Sequence, residues 1–201
     1  KIILLNDQNL ADYIRLPDYI EKKKDAGQIP MAGYADLMRF ALLEHYGGTW
    51  IDSTVYLTDP IPDMILNSDF FAVRNSLLLI DNPVLYPAWF LHAKKGNKTI
   101  REIRNVAFAY WLKNEHVIEY LLPNLIITLV VKSNPEVEKA IPYMNSDYSE
   151  YLVKVLADDY LEEKWNWIKK LTGIHKLTYK LDSAIDRKDS FYQHVIAEKN
   201  K

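Results

Sequence analysis

The sequence predicts a mixed α/β domain in which helices pack against a buried sheet. Residues 34–46 carry apolar side chains at the spacing of a helix face, and residues 50–57 form an apolar run of strand length. A pair of glycines separates these two segments, so we expect a helix, a turn and a buried strand in succession. Residues 70–74 and 76–80 have the composition of two further strands of the sheet.

The composition fits a single domain over residues 1–201 and excludes some functions. The net charge of −2 gives no basic surface of the kind that nucleic-acid-binding proteins need, so we expect no nucleic-acid partner. Most of the 14 Tyr and 5 Trp are expected in the core, although aromatic rings also stack on sugars. The lack of cysteine is compatible with a reducing compartment, and we expect the protein in the cytoplasm.

The other elements are predicted from periodicity along the chain. Residues 1–5 have the composition of a short strand, and residues 10–16 and 18–26 predict two short helices. Residues 98–114 place their apolar side chains on one helix face, and residues 151–168 contain another amphipathic helix. These helices are expected to pack through their apolar faces.

Residues 117–131 are the most hydrophobic stretch of the chain. The stretch is too short for a membrane span, and it contains Glu119 and Pro123. Two interpretations stay open, namely a buried helix and an apolar patch that contacts a membrane surface.

Asp52 is the main candidate for a functional side chain, because an ionised carboxylate inside an apolar run costs several kcal/mol to desolvate without a partner. One interpretation is structural: Asp52 ends the strand and accepts hydrogen bonds within a turn formed with Ser53 and Thr54. The other is functional: the strand delivers Asp52 to a cleft at its carboxyl end, where it binds a divalent cation.

Asp36 and Arg39 lie three residues apart on the preceding helix and therefore share one of its faces. They either reach the same cleft as Asp52 or form an ordinary ion pair on the helix surface, which would be worth less than about 1 kcal/mol. Trp89 leaves a similar choice, because it either stacks on a sugar or packs in the core. Locally, residues 173–180 predict a turn and a short strand at the surface.

The stretch from Ala35 to Val55 resembles the signature of glycosyltransferases of the capsular polysaccharide synthesis type. That family is related to the sugar-transferase group that carries a DxD motif and includes the initiating α-1,6-mannosyltransferases. The signature couples a helix, a double glycine and an Asp on a strand at fixed spacing. The matching positions are Ala35, Asp36, Arg39, Tyr46, Gly47, Gly48, Trp50 and Asp52.

The resemblance implies a GT-A-type nucleotide-diphosphosugar transferase with a Rossmann-like sheet flanked by helices. Members of the family normally have an earlier strand, so the resemblance implies a missing first strand and a domain that is incomplete at its N-terminus. Thr54 occupies the place of the second carboxylate of the DxD motif. The metal, Mn or Mg, would therefore be held by Asp52 without its usual partner.

The same resemblance implies roles for individual residues. Asp52 and Asp36 are the catalytic candidates. The donor-binding candidates are Asp36, Arg39, Gly47, Gly48, Trp89 and Lys176. Family members also tend to end with a string similar to residues 174–179, Ile-His-Lys-Leu-Thr-Tyr. His175 is accordingly a metal ligand candidate together with Asp52, and the Lys176 ammonium is assigned to the leaving phosphates.

The sequence as a whole therefore predicts a metal-dependent glycosyltransferase of capsule synthesis. Its expected partners are a nucleotide-sugar donor and an acceptor that is an oligosaccharide or a lipid-linked glycan. Peripheral contact with the inner face of the membrane is a further expectation. The alternative is a non-catalytic relative that binds a glycan or a partner protein in an assembly complex. Thr54 and Ala88, which replaces an Asn of the family, favour that alternative.

Overall fold

The computed structural model describes residues 2–6, 8–76, 81–181, 185 and 187–199. The helices of this part of the chain are α1 Leu10–Tyr13, α2 Asp18–Asp25, α3 Met31–Tyr46, α4 Asp63–Leu66, α5 Lys98–Lys113, α6 Leu122–Lys132, α7 Pro135–Ala140, α8 Ser146–Ser149, α9 Tyr151–Val155, α10 Glu162–Leu171 and α11 Phe191–Lys199. The strands are β1 Gly48–Ile51, β2 Val55–Leu57, β3 Phe70–Ala72, β4 Phe90–Ala93 and β5 Ile174–Lys176.

The strands form two small antiparallel sheets, so the mixed α/β class is confirmed. One sheet has the order β1-β4-β3, and the other pairs β2 with β5. Every pairing between these described strands is antiparallel, and each strand is only three or four residues long. A Rossmann-like sheet would need parallel strands joined by crossover helices, so that arrangement, and with it the GT-A type, is not confirmed.

The predicted succession of helix, glycine turn and strand is confirmed at residues 31–51. The single buried strand predicted over residues 50–57 is wrong, because a turn at residues 52–54 divides it into β1 and β2, which belong to different sheets and are not buried. Helix α3 follows Pro30 and ends at Gly47, whose φ of 69° is left-handed. A β-carbon at Gly47 would lie 2.5 Å from the backbone nitrogen of Lys95, so only glycine fits where the chain turns beneath this segment. Strand β1 then begins at Gly48 and pairs with β4.

Several predicted elements have different bounds. The strand predicted at residues 1–5 is wrong for its described residues, because none of them pairs with a strand, and the side chains of Ile2 and Leu4 are exposed. The first of the two predicted strands after the signature is confirmed as β3. Of the second, residues 77–80 lie outside the described residues. The amphipathic helix predicted within residues 151–168 is divided into α9 and α10.

The hydrophobic stretch at residues 117–131 is divided between a loop and a helix. Helix α6 begins only at Leu122, because Pro123 suits the first turn of a helix, and residues 117–121 remain outside it. The helix buries Ile126, Ile127 and Val130 in the main core, as one of the two interpretations expected. None of the helices formed by the described residues has the length and apolar composition to span a membrane.

The main core lies between α3, α5, α6 and the first sheet, with Phe40, Leu91, Ile103 and Ile127 fully buried. A second core joins α9, α10 and α11, and a third lies where β3 and β4 meet β5. As a result of this packing, the end of β1, one face of α3 and the end of β5 lie close together.

Candidate active site

A cavity of about 310 Å³ opens where α3, α5, the loop before α6 and the ends of β1 and β5 meet. We call it the larger cavity. Its polar lining consists of Asp36, Arg39, Asp52, Asn124 and Lys176, and the remaining lining is mostly apolar. A mostly apolar pocket with a few convergent polar groups is the usual form of a small-molecule site. The sequence-predicted residues of the helix, the first strand and the last strand thus meet in one cavity.

Arg39 is the central cation of this cavity. Its side chain is only 9% exposed, and its Nη2 lies 3.0 Å from Asp36 Oδ1 and 3.3 Å from Asp52 Oδ1. Its Nη1 donates to the backbone oxygen of Ala88 at 2.6 Å, and its Cζ lies 5.0 Å from the centre of the Trp50 ring. The planar guanidinium is therefore fixed from several sides, as a planar fork with several donors allows. Asp36 and Arg39 do form an ion pair, but the interpretation that places this pair on the helix surface is wrong, because both side chains are largely buried.

Asp52 takes part in a turn after β1 and also lines the cavity, whereas its binding of a divalent cation stays a prediction. It comes directly after β1, and its backbone oxygen accepts from the N–H of Val55, so it starts the turn between β1 and β2. Its carboxylate nevertheless lines the cavity. Oδ1 accepts from Trp50 Nε1 at 2.9 Å as well as from Arg39, and Oδ2 lies 3.3 Å from Lys176 Nζ. The carboxylate is thus compensated by two cations and an indole N–H.

Lys176 reaches the cavity from the end of β5. Its ammonium donates to Asp52 and to Thr54 Oγ1. Thr54, two residues after Asp52, therefore accepts a hydrogen bond from this lysine. The four charged groups of the cavity, Asp36, Arg39, Asp52 and Lys176, carry two charges of each sign.

The pKa of Asp36 reflects the buried position of this cluster. Burial, the largest cause, raises the pKa of its carboxyl to about 6, the neighbouring Arg39 lowers it, and Asp52 raises it. Desolvation disfavours the charged form of a carboxyl, and the ion pair compensates only in part. Asp36 is therefore a carboxylate that is ionised at neutral pH at a cost in free energy.

His175 does not share the cavity with its neighbour Lys176. Successive residues of a strand point to opposite faces, and His175 lies on the face of β5 that packs against Tyr56 and Trp165. It is fully buried, its Nε2 hydrogen-bonds with Thr58 Oγ1 at 3.0 Å, and burial lowers its pKa to about 4. The structure therefore does not bring the two metal-ligand candidates Asp52 and His175 together.

The other donor-binding candidates occupy different positions. Trp89 lines the cavity but is 7% exposed and packs edge-on against Phe90, so packing is its main visible role. Gly47 and Gly48 are not in the cavity lining, and they lie at the opposite end of β1 from Asp52. Both glycines have a positive φ, so the turn is sufficient to explain why these two positions are glycine.

A comparison with protein families matches residues 1–195 to the model for capsular polysaccharide synthesis proteins. The chain belongs to this family. A comparison with curated proteins gave no match. Membership indicates a role in capsule biosynthesis, and it covers the whole of the cavity described above.

Sequence reasoning missed Asn124 and Tyr120 of the cavity lining and the role of Trp50 beside the cavity. Trp50 donates to Asp52 and its ring faces the Arg39 guanidinium, a role that its match to the signature did not assign. Asn124 and Tyr120 come from the hydrophobic stretch that was considered only as a helix or membrane patch. Their place at the cavity depends on where α6 begins, since Tyr120 lies in the loop before this helix and Asn124 lies in its first turn.

The residues present fit only one form of the metal site that the sequence predicts. Among the described residues, no group of three His, Cys, Asp or Glu side chains lies close enough together to hold a metal ion. Magnesium is often held by one or two carboxylates together with phosphate oxygens of the substrate. Asp52 therefore fits a cation shared with a diphosphate, whereas the pairing of Asp52 with His175 does not fit.

Proposed function

We propose that this member of the capsular polysaccharide synthesis family is a glycosyltransferase that moves a sugar from a nucleotide-sugar donor to a capsular or cell-surface polysaccharide. The observation that carries the proposal is the convergence of Arg39 and Lys176 on Asp52 in one cavity. Two cations at one end of a mostly apolar cavity suit a ligand with a charged diphosphate and a flat, less polar base.

In the proposed reaction, an acceptor hydroxyl forms a bond to the anomeric carbon of the sugar and releases its proton to solvent. The bond between the sugar and the diphosphate breaks, and negative charge develops on the leaving diphosphate. Lys176 neutralises this charge, which is the kind of interaction that stabilises a transition state more than a ground state. Arg39 orients the donor, because Asp36 and the oxygen of Ala88 hold its guanidinium in place. Asp36 and Asp52 are thus proposed to set the positions of the two cations.

A divalent cation is part of the proposal. Asp52 would hold Mn or Mg together with the diphosphate, and the bound ion would supply a Lewis acid for the leaving group. Both oxygens of Asp52 already accept from neighbouring donors, so the ion would compete with Lys176 for Oδ2. Because of this competition, we expect the metal ion and the nucleotide to bind together and not one after the other.

Finer aspects of the assignment are also proposals. We propose a GT-A type of transferase, related to the group with the DxD motif and the initiating mannosyltransferases, because the signature that contains Asp36, Arg39 and Asp52 resembles theirs. The acceptor is proposed to be an oligosaccharide or a lipid-linked glycan. Support for a lipid-linked acceptor and for peripheral membrane contact comes from Ile118 and Tyr120, which are 76% and 75% exposed in the loop beside the cavity.

A second candidate function is a non-catalytic relative that binds a glycan or a partner protein. The observation that favours it is that Thr54, in the place of the second DxD carboxylate, is bound to Lys176. In addition, the charges of the cavity balance without any ligand. A site of this kind could bind a neutral glycan with no need for metal or diphosphate.

Calorimetry with UDP, GDP and CMP, each with and without manganese, separates the two functions. The glycosyltransferase proposal expects one of these nucleotides to bind in the presence of manganese and the affinity to fall in Asp52→Asn. Asp69→Asn is a matched control, because Asp69 is an exposed aspartate paired with Lys94 on the surface. If none of the nucleotides binds under either condition, the glycosyltransferase proposal fails and the non-catalytic function is favoured.

A further inference from the structure

A second cavity of about 200 Å³ adjoins the larger cavity and has a different chemistry. It lies between the segment after β3, the segment before β4, and helices α6 and α8, and we call it the smaller cavity. Leu121 and Asn124 line both cavities, so the two share a wall. A molecule in the smaller cavity is therefore next to whatever occupies the larger one.

The smaller cavity offers hydrogen-bond acceptors and donors. Asp147 and Glu150 contribute carboxylates, and Asn82 and Asn124 contribute amides whose oxygens accept from backbone N–H groups. Within the part of the chain that the structure describes, these two carboxylates and the two amide nitrogens have no hydrogen-bond partner. The cavity can thus accept hydrogen bonds at one side and donate them at another.

The charge of the smaller cavity argues against a phosphate ligand. Among the described residues that line it, none is a lysine or an arginine, whereas two are carboxylates. A phosphate would be repelled by Asp147 and Glu150, and an apolar ligand would leave these groups without partners. A neutral molecule with several hydroxyl groups, such as a sugar ring, satisfies donors and acceptors together.

Glu150 also lies within electrostatic reach of the proposed leaving-group site. Helices α8 and α9, which flank Glu150, pack against β5, and β5 ends at Lys176. Burial is the largest influence on the pKa of Glu150 and raises it, Lys154 lowers it, Asp147 raises it, and Lys176 lowers it as well. The packing of α8 and α9 on β5 thus places Glu150 on the same side of the fold as the end of β5, and Lys176 exerts a minor influence on its pKa.

We propose that the smaller cavity binds a sugar ring of the acceptor, with Glu150 and Asp147 accepting hydrogen bonds from its hydroxyl groups. The shared wall at Asn124 then places one hydroxyl of this sugar beside the donor in the larger cavity. This assignment rests on the proposed glycosyltransferase function, because it names the acceptor subsite of that reaction. It makes Glu150 a binding residue for the acceptor and gives it no part in donor binding.

The test uses the methyl α-glycosides of glucose, galactose and mannose as probes, observed by saturation-transfer NMR with the full chain. At least one glycoside is expected to bind, and its affinity is expected to fall roughly tenfold or more in Glu150→Ala and in Asp147→Ala. Glu163→Ala is the control, because Glu163 is exposed on α10. Melting temperatures of all variants identify any loss of folding, and the second variant keeps the test valid if one of them is unstable.

Nucleotide calorimetry on the same variants separates this inference from the proposed function. We expect nucleotide affinity to be the same in Glu150→Ala and in the wild type, and glycoside binding to persist when nucleotide is present. The inference is overturned if none of the glycosides binds, if nucleotide displaces the glycoside, or if Glu150→Ala binds glycoside as the wild type does. Glycoside binding without any nucleotide binding would support the sugar site and defeat the glycosyltransferase function.

Discussion

Lys176 Nζ lies 3.3 Å from Asp52 Oδ2, although 124 positions separate the two residues in the chain. The same ammonium also donates to Thr54, so one lysine joins the end of β5 to the turn after β1. This contact assembles the polar side of the larger cavity from two distant segments.

Replacing Lys176 with Met tests its role at the leaving group, because Met keeps most of the side-chain length and removes the charge. We expect the dissociation constant of the bound nucleotide to rise roughly 10- to 100-fold, as expected for the loss of a charge-assisted hydrogen bond. The free energy of unfolding should change by only about 1 kcal/mol or less, because Asp52 keeps Arg39 and Trp50 as partners. Calorimetry and urea unfolding measure the two quantities.

Lys180→Met is the matched control for Lys176→Met, because Lys180 is exposed four residues farther along the chain. Its nucleotide affinity should equal that of the wild type. Equal affinities in both variants would contradict the leaving-group role, and Lys176 would then serve only to tie β5 to the turn.

Asp36→Asn is expected to make the protein more stable and less able to bind its donor. The pKa of Asp36 is raised by burial to about 6, against 3.8 for an ordinary aspartate, so stability is lost as pH rises from about 4 through 6. Removing the charge should raise the free energy of unfolding by roughly 1–3 kcal/mol at pH 7, with little gain at pH 4. Nucleotide affinity should fall, because Arg39 loses a charged partner.

Urea unfolding of Asp36→Asn at pH 7 and pH 4 measures this difference, with the surface variant Asp69→Asn as a control. The control should stay within about 0.5 kcal/mol of the wild type at both pH values. A loss of stability in Asp36→Asn at pH 7 would mean that the ion pair with Arg39 outweighs desolvation, contrary to the raised pKa.

Gly47→Ala and Gly48→Ala are expected to differ in stability, although both glycines have positive φ. An alanine at Gly47 adds a contact of 2.5 Å with the backbone of Lys95, whereas nothing lies within 4 Å of a β-carbon at Gly48. We expect a loss of roughly 2–5 kcal/mol for Gly47→Ala and of about 1–2 kcal/mol for Gly48→Ala. Thermal and urea unfolding compare the two.

The same glycine variants address the prediction that these residues bind the donor. Gly48→Ala should remain folded, so its nucleotide affinity can be measured directly. An unchanged affinity assigns both glycines to the turn between α3 and β1, and a reduced affinity restores the donor-binding role. Equal stabilities of the two variants would contradict the close approach between Gly47 and Lys95.

His175 is expected to make the fold sensitive to mild acid. Burial lowers its pKa to about 4, and the nearby Asp59 raises it only in part. Between pH 6.5 and 4 this histidine takes up a proton in the unfolded chain but not in the folded chain, so its contribution to stability falls as pH falls, opposite in sign to that of Asp36. Between pH 7 and pH 5 this effect should lower the free energy of unfolding by roughly 2 kcal/mol. His175→Gln should not show this loss.

Urea unfolding at pH 7, 6 and 5 measures this dependence, with His116→Gln as the control because His116 is exposed. The control should keep the dependence of the wild type. If His175→Gln also keeps it, another group causes the loss of stability in acid. Because the pKa of His175 is so low, we also expect that nucleotide binding between pH 6 and 7 will not follow the titration of His175.

What the sequence determined by itself is local. The helix, the glycine turn and β1 are contiguous, so the periodicity of residues 34–57 and two glycines were sufficient to predict them. The spacing of Asp36 and Arg39 placed them on one helix face for the same reason, and Asp52 was visible as a carboxylate inside an apolar run. The family signature covers this segment, and the family was identified from it.

The tertiary structure alone decided which side chains meet. In β5, the pairing of Val55 with Lys176 and of Tyr56 with His175 places the lysine toward Asp52 and the histidine in the core. A shift of that register by one residue would exchange their faces, because side chains alternate along a strand. Local sequence cannot specify such a register, since it depends on packing between segments more than a hundred residues apart. The smaller cavity at Glu150 depends on long-range packing in the same way.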